Sequence, residues 1–325
     1  MNPLSATFAA AVAARNALYD RKMFNIHKLS RPVVSIGNLS VGGTGKTPFA
    51  ITLGELFKAR GIAFDILSRG YGRSSKVIAV VDPNGSAEQF GDEPLLMARK
   101  LQVPVIVGAD RYQAGLLAES KFPDAQLHLL DDAFQHRRLH RDFDIVMLPA
   151  ADIEDTLLPV GRLREPLSSL HRADVVVTEP ETRVPSEAAD VWRVRRELDI
   201  YSISPRFFPR DTTKAVAFCG IARPQQFFAA LRGAGVQATE TVAFPDHHRY
   251  VRADIDRLLR IKARAGAEVF VTTEKDNVRL KALSVPLQPL QIAPLRLVLE
   301  DPKNTLDHIL AVLEQRSGLH ITPSA

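Results

Sequence analysis

The sequence predicts an α/β protein: a mostly parallel sheet flanked by helices, followed by a second, smaller α/β domain. Three observations lead there. Short apolar runs alternate with segments of helical spacing, the pattern that builds parallel sheets with helices on both faces. A glycine-rich stretch, residues 37–47, lies between the first such run and the first helix that follows it. Around residues 200–213 the alternation breaks, with Pro205, Pro209 and clustered polar residues, and then resumes. A boundary there divides the chain into 1–205 and 206–325.

Residues 3–28 read as one helix, with Leu4, Phe8, Val12, Leu18, Tyr19, Met23 and Phe24 apolar. Arg15, Arg21, Lys22 and Lys28 make its second half basic. Such a helix lies in a membrane interface or packs on its own domain, and the pattern alone supports both. The run 32–36 is a buried strand and 49–58 a helix. Between them, Ser40-Val41-Gly42-Gly43-Thr44-Gly45-Lys46-Thr47 has the context of a phosphate-binding loop, which makes the first domain P-loop NTPase-like. Glycines let backbone N–H groups close around phosphate oxygens, and the helix N-terminus adds a favourable dipole. Lys46 would reach the outer phosphates, and the Thr47 hydroxyl would hold Mg²⁺. Ser40 departs from the pattern, which wants glycine five residues before Gly45.

Further along, 63–67 is a strand leading into Ser68-Arg69-Gly70-Tyr71-Gly72-Arg73. Its two arginines either meet anionic groups or decorate a surface turn. Residues 76–81 are another strand. Gly91-Asp92-Glu93-Pro94 opens a helix, where Asp92 is either its N-cap or a general base at the active-site edge. A strand over 103–107 precedes a helix over 110–120 with Asp110 as its cap. The apolar run 127–130 ends in Asp131-Asp132, as a second Mg²⁺-organising element does, at the edge where open α/β sheets bind ligands. His136 and His140 stand four apart, yet lack a carboxylate in the same pattern and read as ordinary polar structure. Strands over 143–148 and 174–178 flank an irregular loop, 157–166, that carries Arg162, Arg164 and Glu165. In the second domain, strands over 215–219, 238–243 and 268–271 alternate with helices over 224–232 and 252–265, and 302–315 is a closing helix. Asp246-His247 is its most chemical feature, since an imidazole beside carboxylates can orient or tune an acid–base group.

Composition narrows the function classes. The chain of 325 residues has a net charge of +5, fitting an anionic membrane surface or a phosphorylated substrate. No basic run with interleaved aromatics appears, so nucleic acid is not an expected partner. A single cysteine, Cys219, excludes an intrachain disulfide and a Cys-rich zinc site, and fits a cytoplasmic compartment. No apolar run approaches the roughly 20 residues that cross a bilayer.

Taken in order, the segments 34–48, 68–72, 91–94, 131–136, 163–166, 246–247 and 273–276 resemble the tetraacyldisaccharide 4′-kinase family of lipid A synthesis. One departure is Ala133, where the family commonly has glycine. The resemblance implies transfer of the ATP γ-phosphate to the 4′-hydroxyl of a tetraacyldisaccharide 1-phosphate. It implies a peripheral enzyme at the cytoplasmic face of the inner membrane of a Gram-negative bacterium; a monomer is expected, though the sequence itself leaves the oligomeric state open. Asp92 becomes the expected base, with His247 orienting or tuning it across the domain cleft. Asp131, Asp132 and Glu165 join Thr47 as candidates for organising Mg²⁺, and Ser40 ceases to be an anomaly. The alternative is a membrane-associated P-loop ATPase or GTPase switch, which leaves Asp92 and His247 without a task.

Overall fold

The computed structural model describes residues 3–185, 190–199 and 214–322. Helix α1 (Pro3–Asp20) precedes β1 (Val33–Asn38), α2 (Lys46–Ala59), β2 (Phe64–Ser68), β3 (Ala79–Val80), α3 (Ala87–Phe90) and α4 (Asp92–Leu101). Next come β4 (Val105–Val107), α5 (Arg111–Lys121), β5 (Leu127–Asp131), β6 (Phe143–Met147), α6 (Ala150–Ile153), β7 (Val175–Thr178) and β8 (Asp190–Leu198). The chain continues through β9 (Ala215–Cys219), α7 (Pro224–Gly233), β10 (Ala238–Ala243), α8 (Arg252–Ala265), β11 (Val269–Thr273) and α9 (Glu274–Leu280). It closes with β12 (Leu290–Ala293), β13 (Leu295–Leu299) and α10 (Pro302–Ser317).

Nine strands form one sheet in the order β13-β8-β7-β6-β1-β5-β2-β4-β3, and four form another in the order β10-β9-β11-β12. The large sheet is parallel except at its two edges, where β3 and β13 run antiparallel to their neighbours. The small sheet is parallel throughout. Strands β1, β2, β5 and β6 are buried along their whole length, as expected where helices cover both faces of a parallel sheet. Helix α2 seats the glycine loop. Its Phe49, Leu53 and Phe57 recur at helical spacing, are fully buried, and share a core with Val34 and Ile36 of β1. Each such side chain contributes about 1.5–3 kcal/mol by its burial. In register, Ile36 of β1 lies opposite Asp131 of β5, so the acidic pair emerges level with the start of the loop.

Several expectations are corrected. Helix α1 stops at Asp20 rather than running to Lys28. Met23 N–H bonds Leu18 C=O at 2.9 Å and Lys22 N–H bonds Tyr19 C=O at 2.9 Å, with Lys22 at φ 56°. That double bond pattern around a left-handed residue is a helix stop, so Lys28 is not on the helix. Asp92 is the first residue of α4, whose cap is Gly91, and its side chain makes no capping bond. His136 and His140, read as ordinary polar structure, lie in the irregular connection between β5 and β6. The boundary placed near 205 lies outside the described residues. The second unit, however, does not run unbroken to 325: β13 pairs with β8, and α10 packs its Leu306, Ile309 and Leu313 into the core of the large sheet. The small sheet is built from 215–293 alone.

Candidate active site

The phosphate loop leaves β1 and enters α2 as the glycine spacing demands. Gly42 and Gly45 both sit at φ 98°, a conformation costly for residues with a Cβ. Lys46 Nζ lies 3.0 Å from Asn38 Oδ1 and 3.4 Å from Asp132 Oδ1. Thr47 is almost fully buried in the first turn of α2. Arginines from outside the loop hold its carbonyls: Arg162 donates to Val41 C=O at 2.8 Å, and Arg196 to Thr44 C=O at 3.0 Å. A trans peptide carries its N–H opposite its C=O, so these bonds also fix the direction of the Gly42 and Gly45 N–H groups. Ser40 does not use its side chain here. Its hydroxyl donates to Asp152 Oδ2 at 2.5 Å, in a site with no solvent exposure.

Asp131 and Asp132 stand at the end of β5 but in different environments. Asp131 is buried, accepts from the Ser68 hydroxyl at 3.1 Å through Oδ2, and has no hydrogen-bond partner on Oδ1. Burial, reinforced by the nearby Glu93 and Asp132 charges, pushes its pKa up to about 7. Asp132 is held in the left-handed region at φ 47° and pairs with Lys46 and Arg164. Burial works against its charged form, yet Lys46 and Arg164 overcome that and hold its pKa well below the carboxylate range. Glu165 forms no ion pair with Lys46 or Arg164 among the described residues. Its Oε2 accepts from Asn16 of α1 at 2.8 Å and from Arg172, while its Oε1 is buried without a hydrogen-bond partner. Arg111, at the start of α5, is buried close to Arg69 and the two aspartates. Burial, then Arg69, lowers its pKa to about 10, which leaves it charged at neutral pH.

Across the cleft, α4 of the large sheet faces α9 of the small one. His247 Nδ1 lies 3.2 Å from Asp92 Oδ2, and Arg279 donates to the same oxygen through Nε at 2.8 Å and through a terminal nitrogen. Among the described residues, every hydrogen bond to the Asp92 carboxylate falls on Oδ2. Burial favours its neutral form, but the His247 bond and the Arg279 and Lys275 charges outweigh it and hold its pKa well below normal. The hydrogen bond to Asp92 raises the pKa of His247, against the opposing effect of burial. His247 itself is in the left-handed region at φ 55°, and its ring lies 5.2 Å from that of Tyr71 on the loop after β2. Lys275 pairs with Glu93 beside this group. Asp276 anchors it from below, accepting from Gly220 N–H at 3.0 Å, the Tyr250 hydroxyl at 2.9 Å and Arg279 at 3.1 Å. His248 is not part of it: its Nε2 bonds Asp254 at 2.9 Å and its ring stacks on Phe244.

Sequence reasoning did not single out Arg279, Arg111 or Asp152. The first had a signal, because Arg279 follows Asp276 by three residues and so shares its helical face. The others join the site only through tertiary packing.

Comparisons with known proteins point to one family. The family profile described as Tetraacyldisaccharide-1-P 4'-kinase matches residues 1–314. A Tetraacyldisaccharide 4'-kinase of Koribacter versatilis is 49% identical over 98% of this chain and its own full length. That of Geobacter metallireducens is 39% identical, covering 92% of this chain and 94% of its own. A crystal structure of LpxK from Aquifex aeolicus in complex with ATP superposes with a TM-score of 0.77 at 32% identity. It covers 96% of this chain and 98% of the Aquifex one. A phosphate loop, a paired acidic strand end and a carboxylate–imidazole pair across the cleft thus occur in a chain that belongs to the tetraacyldisaccharide 4′-kinase family.

Proposed function

We propose that this chain transfers the γ-phosphate of ATP to the 4′-hydroxyl of tetraacyldisaccharide 1-phosphate, the step of lipid A synthesis that yields lipid IVA. The observation that carries this reading is the cross-cleft group of Asp92, His247 and Arg279. A switch that only hydrolyses nucleotide gives it no task, whereas transfer to a sugar hydroxyl requires a proton acceptor.

In this reading the chemistry is mostly positioning and charge neutralisation. Lys46, already aimed by Asn38 and Asp132, meets the outer phosphates, and the N–H groups of Gly42, Gly43 and Gly45 with the α2 N-terminus cradle them. The residues fit Mg²⁺: the Thr47 hydroxyl and the two aspartates are hard oxygen donors, and Asp131 has a buried oxygen without a partner. Mg²⁺ usually takes one or two carboxylates with phosphate oxygens and waters, so a larger cluster of acidic side chains is not needed. When bound, it offsets charge on the transferring group. Asp92 takes the hydroxyl proton through Oδ1, while His247 and Arg279 hold Oδ2 and fix the carboxylate's orientation. Because Asp92 is a weak base here, the proton leaves late, as the oxygen–phosphorus bond forms and the hydroxyl becomes more acidic.

The acyl chains stay in the bilayer, so the enzyme works as a peripheral protein at the cytoplasmic face of the inner membrane. Leu4, Met23, Phe24 and Ile26, on α1 and just beyond it, are exposed apolar side chains beside Arg21, Lys22 and Lys28, which supports contact with an anionic surface. No helix among the described residues is long and apolar enough to cross a membrane.

The test is transfer of label from ATP to the disaccharide 1-phosphate in detergent micelles, comparing wild type with Lys46→Ala, Asp92→Ala and His247→Ala. Folded variants should lose transfer by about 10² or more. Wild type that hydrolyses ATP without phosphorylating the lipid would reject the kinase and favour the switch.

A further inference from the structure

The turn between β9 and α7 touches both halves of the site. Gly220, at one end, accepts from His247 N–H at 3.2 Å and from Arg279 at 2.5 Å, and donates to Asp276 at 3.0 Å. At the other end, the Ala222 methyl lies 3.4 Å from where a Cβ on Gly42 would stand and 3.5 Å from that of Gly43. The next residue, Arg223, reaches into the large sheet's side of the cleft and pairs with Asp152 Oδ1 at 3.2 Å. The other oxygen of Asp152 holds the Ser40 hydroxyl at 2.5 Å. Asp152 and Ser40 are fully buried, and the Arg223 side chain is 11% exposed.

We infer that Arg223 is a positioning residue that couples cleft closure to the phosphate loop through Asp152 and Ser40. A buried carboxylate without a charge partner is strongly disfavoured. When the small sheet swings away, Arg223 leaves and Asp152 must admit water or move, and its hold on Ser40 is lost with it. When the cleft closes, Arg223 neutralises Asp152, Asp152 fixes Ser40, and Ala222 backs the Gly42–Gly43 peptide. The same short turn simultaneously seats His247 and Arg279 against Asp92. Nucleotide phosphates and the acid–base pair are therefore set by one rigid connection. This also accounts for Ser40 where the usual loop has glycine: its side chain is the loop's end of the link.

The inference rests on ATP being the nucleotide bound, so the primary readout is equilibrium binding of labelled Mg·ATP to the full chain without lipid acceptor, with melting temperature as a fold control. Arg223→Met, Asp152→Asn and Ser40→Ala should each weaken ATP binding by about tenfold, within the usual range of coupling between sites. Arg223→Lys should recover part of the loss. In turnover assays the KM for ATP should rise by a similar factor, with kcat changed by less than about threefold. The Arg223→Met, Asp152→Asn double variant should be no worse than the weaker single, because both cut one chain of contacts. Folded variants with unchanged ATP affinity, or losses that simply add, would overturn the link. Wild type that binds ATP but fails to phosphorylate the lipid would instead count against the kinase reading and leave this test intact.

Discussion

At the residue scale, the cleft is governed by how Asp92 is shared. His247 gains its raised pKa from Asp92, and Asp92 its lowered one from His247, Arg279 and Lys275 against burial. The signs of the two stability effects are opposite. A histidine raised above its unfolded value of about 6.5 stabilises fully below that value, and loses the contribution as pH rises through the folded pKa. A carboxylate held low stabilises above about 4 and loses that only as pH falls through its folded pKa. Urea midpoints of wild type and His247→Gln should therefore differ more at pH 6 than at pH 9; an equal gap at both would mean that the imidazole gains nothing from Asp92. In turnover, His247→Gln should lower kcat by about 10²-fold while changing the KM for ATP little, since it touches no part of the phosphate loop. Asp92 and His247 were legible as residues, because a carboxylate opening a helix and an imidazole beside a carboxylate are local patterns. Their pairing, 155 positions apart, was not, and was supplied by resemblance to a family. Glu165 also became a metal candidate only through that resemblance; packing sets its Oε2 against Arg172 and Asn16, contacts no local pattern announces.

At the scale of elements, burial explains which ones the sequence disclosed. β1, β5 and β6 are apolar runs buried on both faces, and each was visible. β8 was not, because Asp190–Leu198 carries charges at Asp190, Arg193, Arg195, Arg196 and Glu197 and has one fully buried residue, Val194. Its partner β13 arrives from about 100 positions further on, a pairing no local window can contain. Helix α1 packs on its own domain, one of the two readings of its pattern. Tyr19 is buried beneath Arg15 and Arg137, and Asn16 reaches Glu165, so one face is docked. Leu4, with Met23, Phe24 and Ile26 past the helix end, remains exposed. Replacing Leu4, Met23, Phe24 and Ile26 by Ser should reduce binding to anionic liposomes by about tenfold or more, given about 0.8 kcal/mol per buried methylene, and spare ATP binding in solution. Unchanged partition in a sedimentation assay would remove these side chains from the membrane contact. A core substitution behaves differently: Phe49→Ala, behind the loop, should cost about 3–5 kcal/mol of stability by urea titration and reduce nucleotide affinity with it.

For the whole molecule, the two sheets are joined at α4 and α9 by charges arranged in opposite pairs: Asp92 with Arg279, Glu93 with Lys275, and Lys100 with Glu274. The first is the most deeply buried, with both side chains 6% exposed, and Arg279 also serves the fully buried Asp276. Such a junction stabilises little relative to an apolar one but is costly to break on one side, because the carboxylates that remain are buried without a partner. Arg279→Met takes the arginine from both Asp92 and Asp276, leaving Asp92 with His247 and Asp276 with neutral donors alone, and should lower stability by about 3–5 kcal/mol. Because β13 and α10 return to the large sheet, the small sheet is an insertion held at both ends, and its unfolding is tied to that of the larger core. Weakening the junction should loosen this tie. In calorimetry the Arg279→Met protein should show an earlier transition, from the small sheet, separating from that of the nine-stranded core, where wild type melts over one narrower range. Adding Asp92→Asn to Arg279→Met should restore part of the loss, since it removes one of the stranded charges. A single transition shifted equally in both variants would mean that the sheets unfold as one unit irrespective of Arg279, and that closure of the cleft is set by packing rather than by this charge.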